Sequence, residues 1–188
     1  PLGTAWDGTV GFPIPSTAVS IRDGGFNELP VWTGDGDIEK HTGEICIRGP
    51  QVMKGYWQNP AETANVLRDG WLKTGDIGHL DDQGRVTITD RKKDMILVSG
   101  FNVYPNEIES VVAAHPGVLE CAAVAVPDER TGEAVKVVIV RKDPNLTRES
   151  VIEHCRKSLT SYKVPRHVEY RDALPKTPIG KILRRELR

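Results

Sequence analysis

The sequence Asp-Arg-Lys-Lys-Asp-Met-Ile-Leu-Val-Ser-Gly-Phe-Asn-Val, residues 90–103, decides how this chain is organised. Five consecutive charged residues precede a short apolar run, a pattern typical of a solvated linker that leads into a strand. The same pattern suits a hinge between two domains. The sequence therefore predicts a boundary here, with one domain in residues 1–90 and another in residues 91–188.

The distribution of charge supports this boundary. The 188 residues carry a formal net charge of −1. Residues 1–90 hold 7 Lys and Arg against 13 Asp and Glu, a balance of −6, whereas residues 91–188 hold 18 against 13, a balance of +5. An acidic part joined to a basic part indicates two structural units. The basic part suits either an anionic ligand with several phosphates or plain solubility.

Hydrophobic periodicity predicts a different architecture on each side of the boundary. The first part is rich in Gly and Pro, which favours a small twisted sheet or barrel with strands at 17–22, 44–48 and 85–89 and one helix at 60–68. The second part alternates helices with strands, which is typical of a small α+β unit. Its predicted strands are 95–98, 119–126, 133–141 and 167–170, and its predicted helices are 106–114 and 148–159.

Composition excludes several classes of protein. With 38% hydrophobic and 27% charged residues, the chain is neither fibrous nor disordered, and its apolar runs are too short to cross a bilayer. Cys46, Cys121 and Cys155 lie far apart and form no zinc-binding set with the histidines, so we expect buried thiols and no metal site.

Because the chain begins with Pro1 rather than Met, we expect it to be part of a longer protein.

Two segments before and within the boundary carry candidate ligand-binding residues. In Gly-Trp-Leu-Lys-Thr-Gly-Asp-Ile-Gly, residues 70–78, the Thr-Gly-Asp sequence alone favours a turn. Alternatively, the carboxylate of Asp76 could accept hydrogen bonds from two vicinal hydroxyls, as a ribose presents them. Arg91 could contact phosphate or ribose through its planar donors, and Gly100 permits close approach of the backbone to a ligand.

The segment Leu-Pro-Lys-Thr-Pro-Ile-Gly-Lys-Ile-Leu-Arg-Arg, residues 174–185, presents a lysine on a loop rich in Pro and Gly. It is not a P-loop, because Pro175 occupies the first glycine position. Lys181 could instead deliver a point charge to a phosphate. The alternative is a basic tail for solubility or nucleic acid, but without aromatic interleaving or a known module nucleic-acid binding is not expected.

These three motifs, in this order, resemble the adenylate-forming superfamily of acyl-CoA synthetases, luciferases and peptide-synthetase adenylation domains. The resemblance extends from about Gly11 to Arg188, and residues 92–109 and 180–188 resemble bacterial long-chain fatty-acid–CoA ligases in particular. It implies that residues 1–90 are the last subdomain of the large AMP-binding domain, a distorted β-barrel. Residues 91–188 would be the mobile C-terminal domain, mixed α/β with a central sheet flanked by helices.

The resemblance also implies an acid–thiol ligase that joins a fatty acid to CoA with ATP, through an acyl-adenylate, and releases AMP and pyrophosphate. Asp76 matches the aspartate that binds the ribose of ATP or AMP, and Arg91 an arginine that contacts the same ribose and phosphate region. Lys93 falls at the hinge position. Lys181 matches the catalytic lysine of adenylation, where it acts alongside Mg²⁺.

In the second half-reaction of this family the small domain swings about the hinge, and Gly100 and Phe101 would then line the channel for pantetheine. The family's phosphate loop, its Tyr-Gly-x-Thr-Glu motif and its acyl pocket are not in this sequence. We therefore expect the chain alone to be inactive and to bind ATP, AMP, Mg²⁺ or CoA weakly.

Expected partners are the small-molecule substrates and the missing N-terminal domain, with a cytoplasmic location and peripheral contact at the inner membrane. Two alternatives stay open: another acyl- or aryl-CoA ligase of the superfamily, and an interaction module that has lost the chemistry. Joint retention of Asp76, Arg91, Lys93 and Lys181 argues against the interaction module.

Overall fold

The computed structural model describes residues 8–188, so Pro1, on which the expectation of a longer protein rests, lies outside the described residues. The chain divides into two compact units, of which unit 1 ends at Lys93 and unit 2 begins at Asp94. This division falls three residues after the end of the predicted first domain.

Unit 1 is built on an antiparallel sheet that curls into a half-barrel. The sheet order is β1-β2-β4-β3, and β5 also pairs with β4. Its core is formed by Ile21, Ile45 and Val86. The strands are β1 (Ala18–Arg22), β2 (Gly43–Arg48), β3 (Leu67–Arg68), β4 (Trp71–Leu80) and β5 (Val86–Arg91).

The single α-helix among the described residues of unit 1 is α1 (Pro60–Val66). It begins as predicted, because the side chain of Asn59 accepts a hydrogen bond from the Glu62 amide at 3.1 Å. It ends two residues earlier than predicted, since Leu67–Arg68 pair with β4 as strand β3.

The structure corrects two expectations about the motifs of unit 1. The Thr-Gly-Asp sequence lies inside β4 rather than at a turn, and Gly75 takes a φ of +74° within that irregular strand. Asp90 and Arg91 belong to β5 rather than to a solvated linker, and Asp90 is buried. Part of the charged run is therefore built into the sheet, because β4 pairs with β5 through Asp76 and Arg91.

Unit 2 is a mixed sheet covered by two helices. Its order is β10-β9-β6-β7 with β8 also paired to β9, and the β9–β10 pair is parallel. The elements are β6 (Ile96–Val98), β7 (Phe101–Val103), α2 (Pro105–Ala113), β8 (Val118–Asp128), β9 (Gly132–Arg141), α3 (Arg148–Arg156) and β10 (His167–Tyr170). Strand β7 was not predicted, and α3 ends before the predicted Leu159, although Leu159 is buried in the core.

The long hairpin of β8 and β9 has two buried faces, because alternate residues point to opposite sides of a sheet. The helix face, formed with α2 and α3, contains Cys121, Ala123, Val135, Val137 and Ile139. The opposite face contains Ala122, Val124, Val138 and Val140, and it packs against Leu174, Leu187 and Ile182 of the C-terminal segment. The mixed α/β fold class predicted from the sequence is confirmed.

The three cysteines are free and buried, as predicted. Burial raises the pKa of the Cys46 thiol to about 11 and that of Cys121 to about 12, so both stay protonated at neutral pH. Within residues 8–188, no group of three or more His, Cys, Asp or Glu is placed to hold a metal ion. No helix in the same range is long and apolar enough to cross a membrane.

Candidate functional site

The structure brings Asp76 and Arg91 together on neighbouring strands of unit 1. The two residues are cross-strand partners on β4 and β5, and the guanidinium Nε of Arg91 lies 2.8 Å from Asp76 Oδ1. The carboxylate is partly buried and the guanidinium is half exposed. Asp76 Oδ2 accepts no hydrogen bond within residues 8–188, so this oxygen can accept from a ligand hydroxyl.

A buried carboxylate supports the backbone beside this pair. Glu44 on β2 is only 7% exposed, accepts a hydrogen bond from the Gly75 amide at 3.2 Å and pairs with Lys92 Nζ at 2.8 Å. The hydroxyl of Thr74 donates to the carbonyl of Ile45 at 2.8 Å and accepts from the Asp76 amide at 3.1 Å. These contacts fix the strand on both sides of Gly75 and so hold the Asp76 carboxylate in place.

Lys93, the expected hinge residue, is exposed in the 3-10 turn Lys92–Asp94 that follows β5. It is the last residue of unit 1, and Asp94 opens unit 2.

In unit 2, Ser99 and Gly100 form the two-residue turn between β6 and β7. Their φ angles of +51° and +85° are both positive, which is the backbone of a type I′ hairpin turn. The Ser99 amide is tied to the Thr131 carbonyl at 2.9 Å. A Cβ at Gly100 would meet no atom within 4 Å, so this glycine is required by its φ and leaves the space beside the turn open.

Phe101 follows the turn and is 53% exposed. Its ring stacks on Tyr162, with centroids 4.7 Å apart and planes 21° from parallel. Tyr162 in turn packs against the helix-face core. The next residue, Lys163, is anchored by its ammonium to both carboxylate oxygens of Glu107 on α2, at 3.0 and 2.9 Å. The exposed ring of Phe101 therefore rests on a fixed support.

The Lys181 loop, residues 175–183, is closed by its own hydrogen bonds. The Leu183 amide donates to the Pro175 carbonyl at 2.8 Å, and Thr177 and Lys181 are joined through main-chain and hydroxyl contacts of 2.8 and 3.1 Å. The Lys181 side chain is exposed, and its ammonium has no partner in the part of the chain that the structure describes. A cation on a closed loop without a competing carboxylate is available for an anionic ligand.

Lys181 and Phe101 belong to different sides of unit 2. The segment that carries Lys181 packs through Ile182 on the face of β8 and β9 that points away from the helices. Phe101 stacks on Tyr162, which belongs to the helix-face core. The structure thus separates two residues that the sequence assigns to one active site.

Two family models match this chain. The AMP-binding enzyme model matches residues 2–57, and the model of the AMP-binding enzyme C-terminal domain matches residues 107–181. The chain belongs to the AMP-binding enzyme family. Its relatives within that family include long-chain-fatty-acid–CoA ligases of Escherichia coli O6:H1, at 57% identity over 96% of the chain, and of Bacillus subtilis strain 168, at 46% identity over 96%.

The chain spans 31% of the length of both relatives. Among solved structures, MatB from Rhodopseudomonas palustris with bound ATP superposes with a TM-score of 0.85 at 38% identity. That match covers 96% of this chain and 35% of MatB.

Three residues that matter to the site were missed in the sequence. Glu44, Tyr162 and Arg184 each contact residues at least 31 positions away in the chain. Glu44 lies in a strand where the alternation of polar and apolar residues predicts only which positions are buried. For Arg184, the charged positions of α2 were a usable signal, because carboxylates on a half-buried helix need partners.

Proposed function

We propose that this chain is the C-terminal part of a long-chain fatty-acid–CoA ligase. The ligase would convert ATP, fatty acid and CoA into acyl-CoA, AMP and pyrophosphate through an acyl-adenylate. The observation that carries the proposal is 57% identity over 96% of the chain to a relative of that name. The other features of the site support the proposal, because their geometry suits the chemistry that such a reaction requires.

Unit 1 would be the last subdomain of the large AMP-binding domain, and unit 2 the mobile C-terminal domain. Lys93 would act as the hinge, and its position at the end of unit 1 supports that role. Unit 1 would then contribute the nucleotide contact, while unit 2 would contribute one residue set to each half-reaction.

Asp76 would bind the ribose of ATP and AMP. One carboxylate oxygen is held by Arg91 at 2.8 Å, so the group is oriented before the nucleotide arrives, and the other oxygen accepts from the ribose hydroxyls. The remaining donors of Arg91 are exposed and would contact the ribose or phosphate. Because Arg91 has five N–H donors, one ion pair leaves others for a ligand.

Lys181 would act in adenylation. There, a fatty carboxylate oxygen attacks the α-phosphorus of ATP, a new C–O–P link forms, and the bond to pyrophosphate breaks. Carboxylate and phosphate are both anionic and repel each other, so a cation between them lowers the barrier. The unpaired ammonium of Lys181 can take that position without first breaking an ion pair.

Mg²⁺ would neutralise further phosphate charge in this step, bound with the nucleotide phosphates. Among the described residues, no cluster of three or more candidate ligands provides a separate site for it.

Gly100 and Phe101 would act in thioester formation, in which the CoA thiol attacks the acyl carbonyl and AMP leaves. The open space beside Gly100 and the exposed, supported ring of Phe101 suit one wall of a channel for the pantetheine arm. The parent enzyme would be cytoplasmic, with peripheral contact at the inner membrane where its apolar substrates partition.

The proposal is tested in a chimeric ligase, in which this chain replaces the matching C-terminal third of the Escherichia coli relative. Lys181→Ala should lower ATP–pyrophosphate exchange dependent on fatty acid by about 100-fold or more. Thioester formation from supplied acyl-adenylate should be largely kept. Lys142→Ala, which removes another exposed lysine of unit 2, is the control. Wild-type exchange in the Lys181 variant, or equal loss of both half-reactions, would refute the proposed role.

A second test uses the 188-residue chain alone. With ATP, oleate and CoA we expect no acyl-CoA above the uncatalysed background, because the acyl pocket and phosphate loop would lie in the missing domain. Acyl-CoA formation by the isolated chain above that background would contradict the proposal that the acyl pocket and the phosphate loop lie in the missing domain.

A further inference from the structure

Arg184 lies three residues after Lys181. Its side chain makes more polar contacts than an arginine on the surface usually does. Its Nε and one terminal nitrogen donate to the two carboxylate oxygens of Glu109 at 3.1 and 2.7 Å. The same terminal nitrogen donates to Asn106 Oδ1 at 2.9 Å. Both charged side chains are only 18% exposed, so this bidentate pair is shielded from solvent and geometrically fixed.

Glu109 is itself fixed to the sheet. Its Oε1 accepts a hydrogen bond from the Ala123 amide of β8 at 2.8 Å. The carboxylate therefore links α2 and β8 and offers Arg184 an anchor that cannot rotate away. A rigid anchor gives a neighbouring segment a defined position, whereas a mobile surface carboxylate would not.

The anchored segment also reaches the first residue of unit 2. The second terminal nitrogen of Arg184 lies 3.7 Å from Asp94 Oδ2, and Arg188 lies 3.4 Å from Asp94 Oδ1. Asp94 is next to the expected hinge residue Lys93. Arg184 thus joins the entry of unit 2, helix α2 and the segment that carries Lys181.

A second contact holds the other end of the Lys181 loop. Lys176 pairs with Glu120 of β8 at 2.5 Å, but both side chains are 37% exposed. Exposed ion pairs hold geometry weakly. Of the two polar anchors of the loop, Arg184 is therefore the firm one and Lys176 the loose one, and both add to the apolar packing of Leu174, Ile182 and Leu187 on the sheet.

From these contacts we infer that Arg184 is a positioning residue for Lys181 in adenylation. Through its ion pair with Glu109, it determines the position of the Lys181 ammonium. The inference rests on the proposed function of Lys181. The side chain of Arg184 is engaged by Glu109, Asn106 and Asp94, so we assign it a positioning role rather than a catalytic one. Its effect would be confined to adenylation, because the Phe101 turn is supported separately by Tyr162 and Lys163.

The test measures both half-reactions in the chimeric ligase with Arg184→Met, which keeps the length of the side chain and removes its donors. The kcat of adenylation should fall about 10- to 100-fold, the loss expected when a catalytic group is misplaced by about 1 Å. KM for ATP and fatty acid should change less than about 3-fold, since the lost interaction belongs to the transition state. Thioester formation from acyl-adenylate should stay within about 3-fold of wild type.

Two further variants separate positioning from general loss of stability. Arg184→Lys keeps the charge but loses the bidentate geometry, and it should fall between Arg184→Met and wild type. Arg166→Met removes another arginine–carboxylate pair of unit 2, at 2.7 Å from Asp128 but with the arginine more exposed than Arg184, and should leave both half-reactions unchanged. In the chain itself, the Lys181 amide should exchange with deuterium faster in Arg184→Met than in Arg166→Met.

The outcomes are distinguishable. If Lys181→Ala leaves adenylation intact, the proposed function fails. If Lys181→Ala abolishes adenylation but the folded Arg184 variants adenylate at the wild-type rate, only the positioning role is overturned. It is also overturned if Arg166→Met lowers adenylation as much as Arg184→Met does.

Discussion

Different parts of unit 2 support the Lys181 loop and the Ser99–Gly100–Phe101 turn, although both are expected to reach one active site. The loop packs on the sheet face away from the helices and presents an unpaired ammonium on an exposed segment. The turn is tied by a backbone contact to Thr131 and presents an aromatic ring stacked on Tyr162. One small domain therefore offers two separate surfaces, one for charge and one for apolar contact.

The turn can be tested separately from the loop by Gly100→Val. The variant places a β-branched side chain at a φ of +85° and fills space that is open in the structure. We expect thioester formation in the chimeric ligase to fall about 10- to 100-fold. Adenylation should stay close to wild type in the same preparation. A matched loss in both half-reactions would show that the turn does not act separately.

A smaller effect is expected from removing the support of Phe101. Tyr162→Leu keeps an apolar residue but removes the ring stacked at 4.7 Å. Thioester formation should fall about 3- to 10-fold, because Phe101 loses its fixed orientation but keeps its ring. Steady-state kinetics with varied CoA measures this. A larger loss of adenylation than of thioester formation would contradict the proposed support of Phe101 by Tyr162.

The ion pair near Phe101 and the ion pair of the Lys181 loop should also contribute differently to the free energy of unfolding of unit 2. The Lys163 side chain is 10% exposed and contacts both oxygens of Glu107, whereas the Lys176–Glu120 pair is open to solvent. Lys163→Met should lower the free energy of unfolding by about 1–3 kcal/mol, less than a fully buried pair since Glu107 can rehydrate. Lys176→Met should cost under about 1 kcal/mol. Urea unfolding of the chain measures both, and equal costs would contradict the difference.

The smallest expected effect is a pH dependence confined to the helix face. His115 Nδ1 accepts from the Gly117 amide at 3.0 Å, so Nε2 carries the proton toward the Ser150 hydroxyl. Burial, with smaller contributions from His154 and Lys157, lowers the pKa of His115 against the opposing effect of Asp143. The unfolded state, with a histidine pKa near 6.5, therefore takes up the proton first as the pH falls.

The stability of unit 2 should consequently decrease as the pH falls below about 6.5 and level off once His115 protonates in the folded state. Urea unfolding at several pH values checks this. His115→Gln, which can accept and donate at the same places without titrating, should flatten the dependence. An unchanged slope in that variant would exclude His115 as its source.

Local sequence signals predicted much of the fold. Asn59 and Thr147 cap their helices through side-chain contacts as expected, and the apolar runs of β8 and β9 became the central hairpin. Strand β7 was missed because Phe101–Val103 is short and pairs only after the turn at Gly100. The end of α1 was missed since pairing of Leu67–Arg68 with β4 overrides helical propensity.

The candidate site was less predictable than the fold. Motif residues such as Asp76 and Arg91 could be named, and the cross-strand register that brings them within 2.8 Å came only with the structure. The roles of Glu109 and Arg184 depend on a contact across 75 positions of the chain. The carboxylates of α2 indicate that a partner is needed, but which residue supplies it depends on the packing of α2 against the C-terminal segment.

The most direct measurement follows Lys181→Ala and Gly100→Val side by side in the chimeric ligase, with both half-reactions recorded by rapid quench on the same preparations. Opposite patterns are expected: Lys181→Ala loses adenylation and keeps thioester formation, and Gly100→Val does the reverse. Loss of the same half-reaction in both variants would show that the Lys181 loop and the Gly100 turn do not serve separate half-reactions.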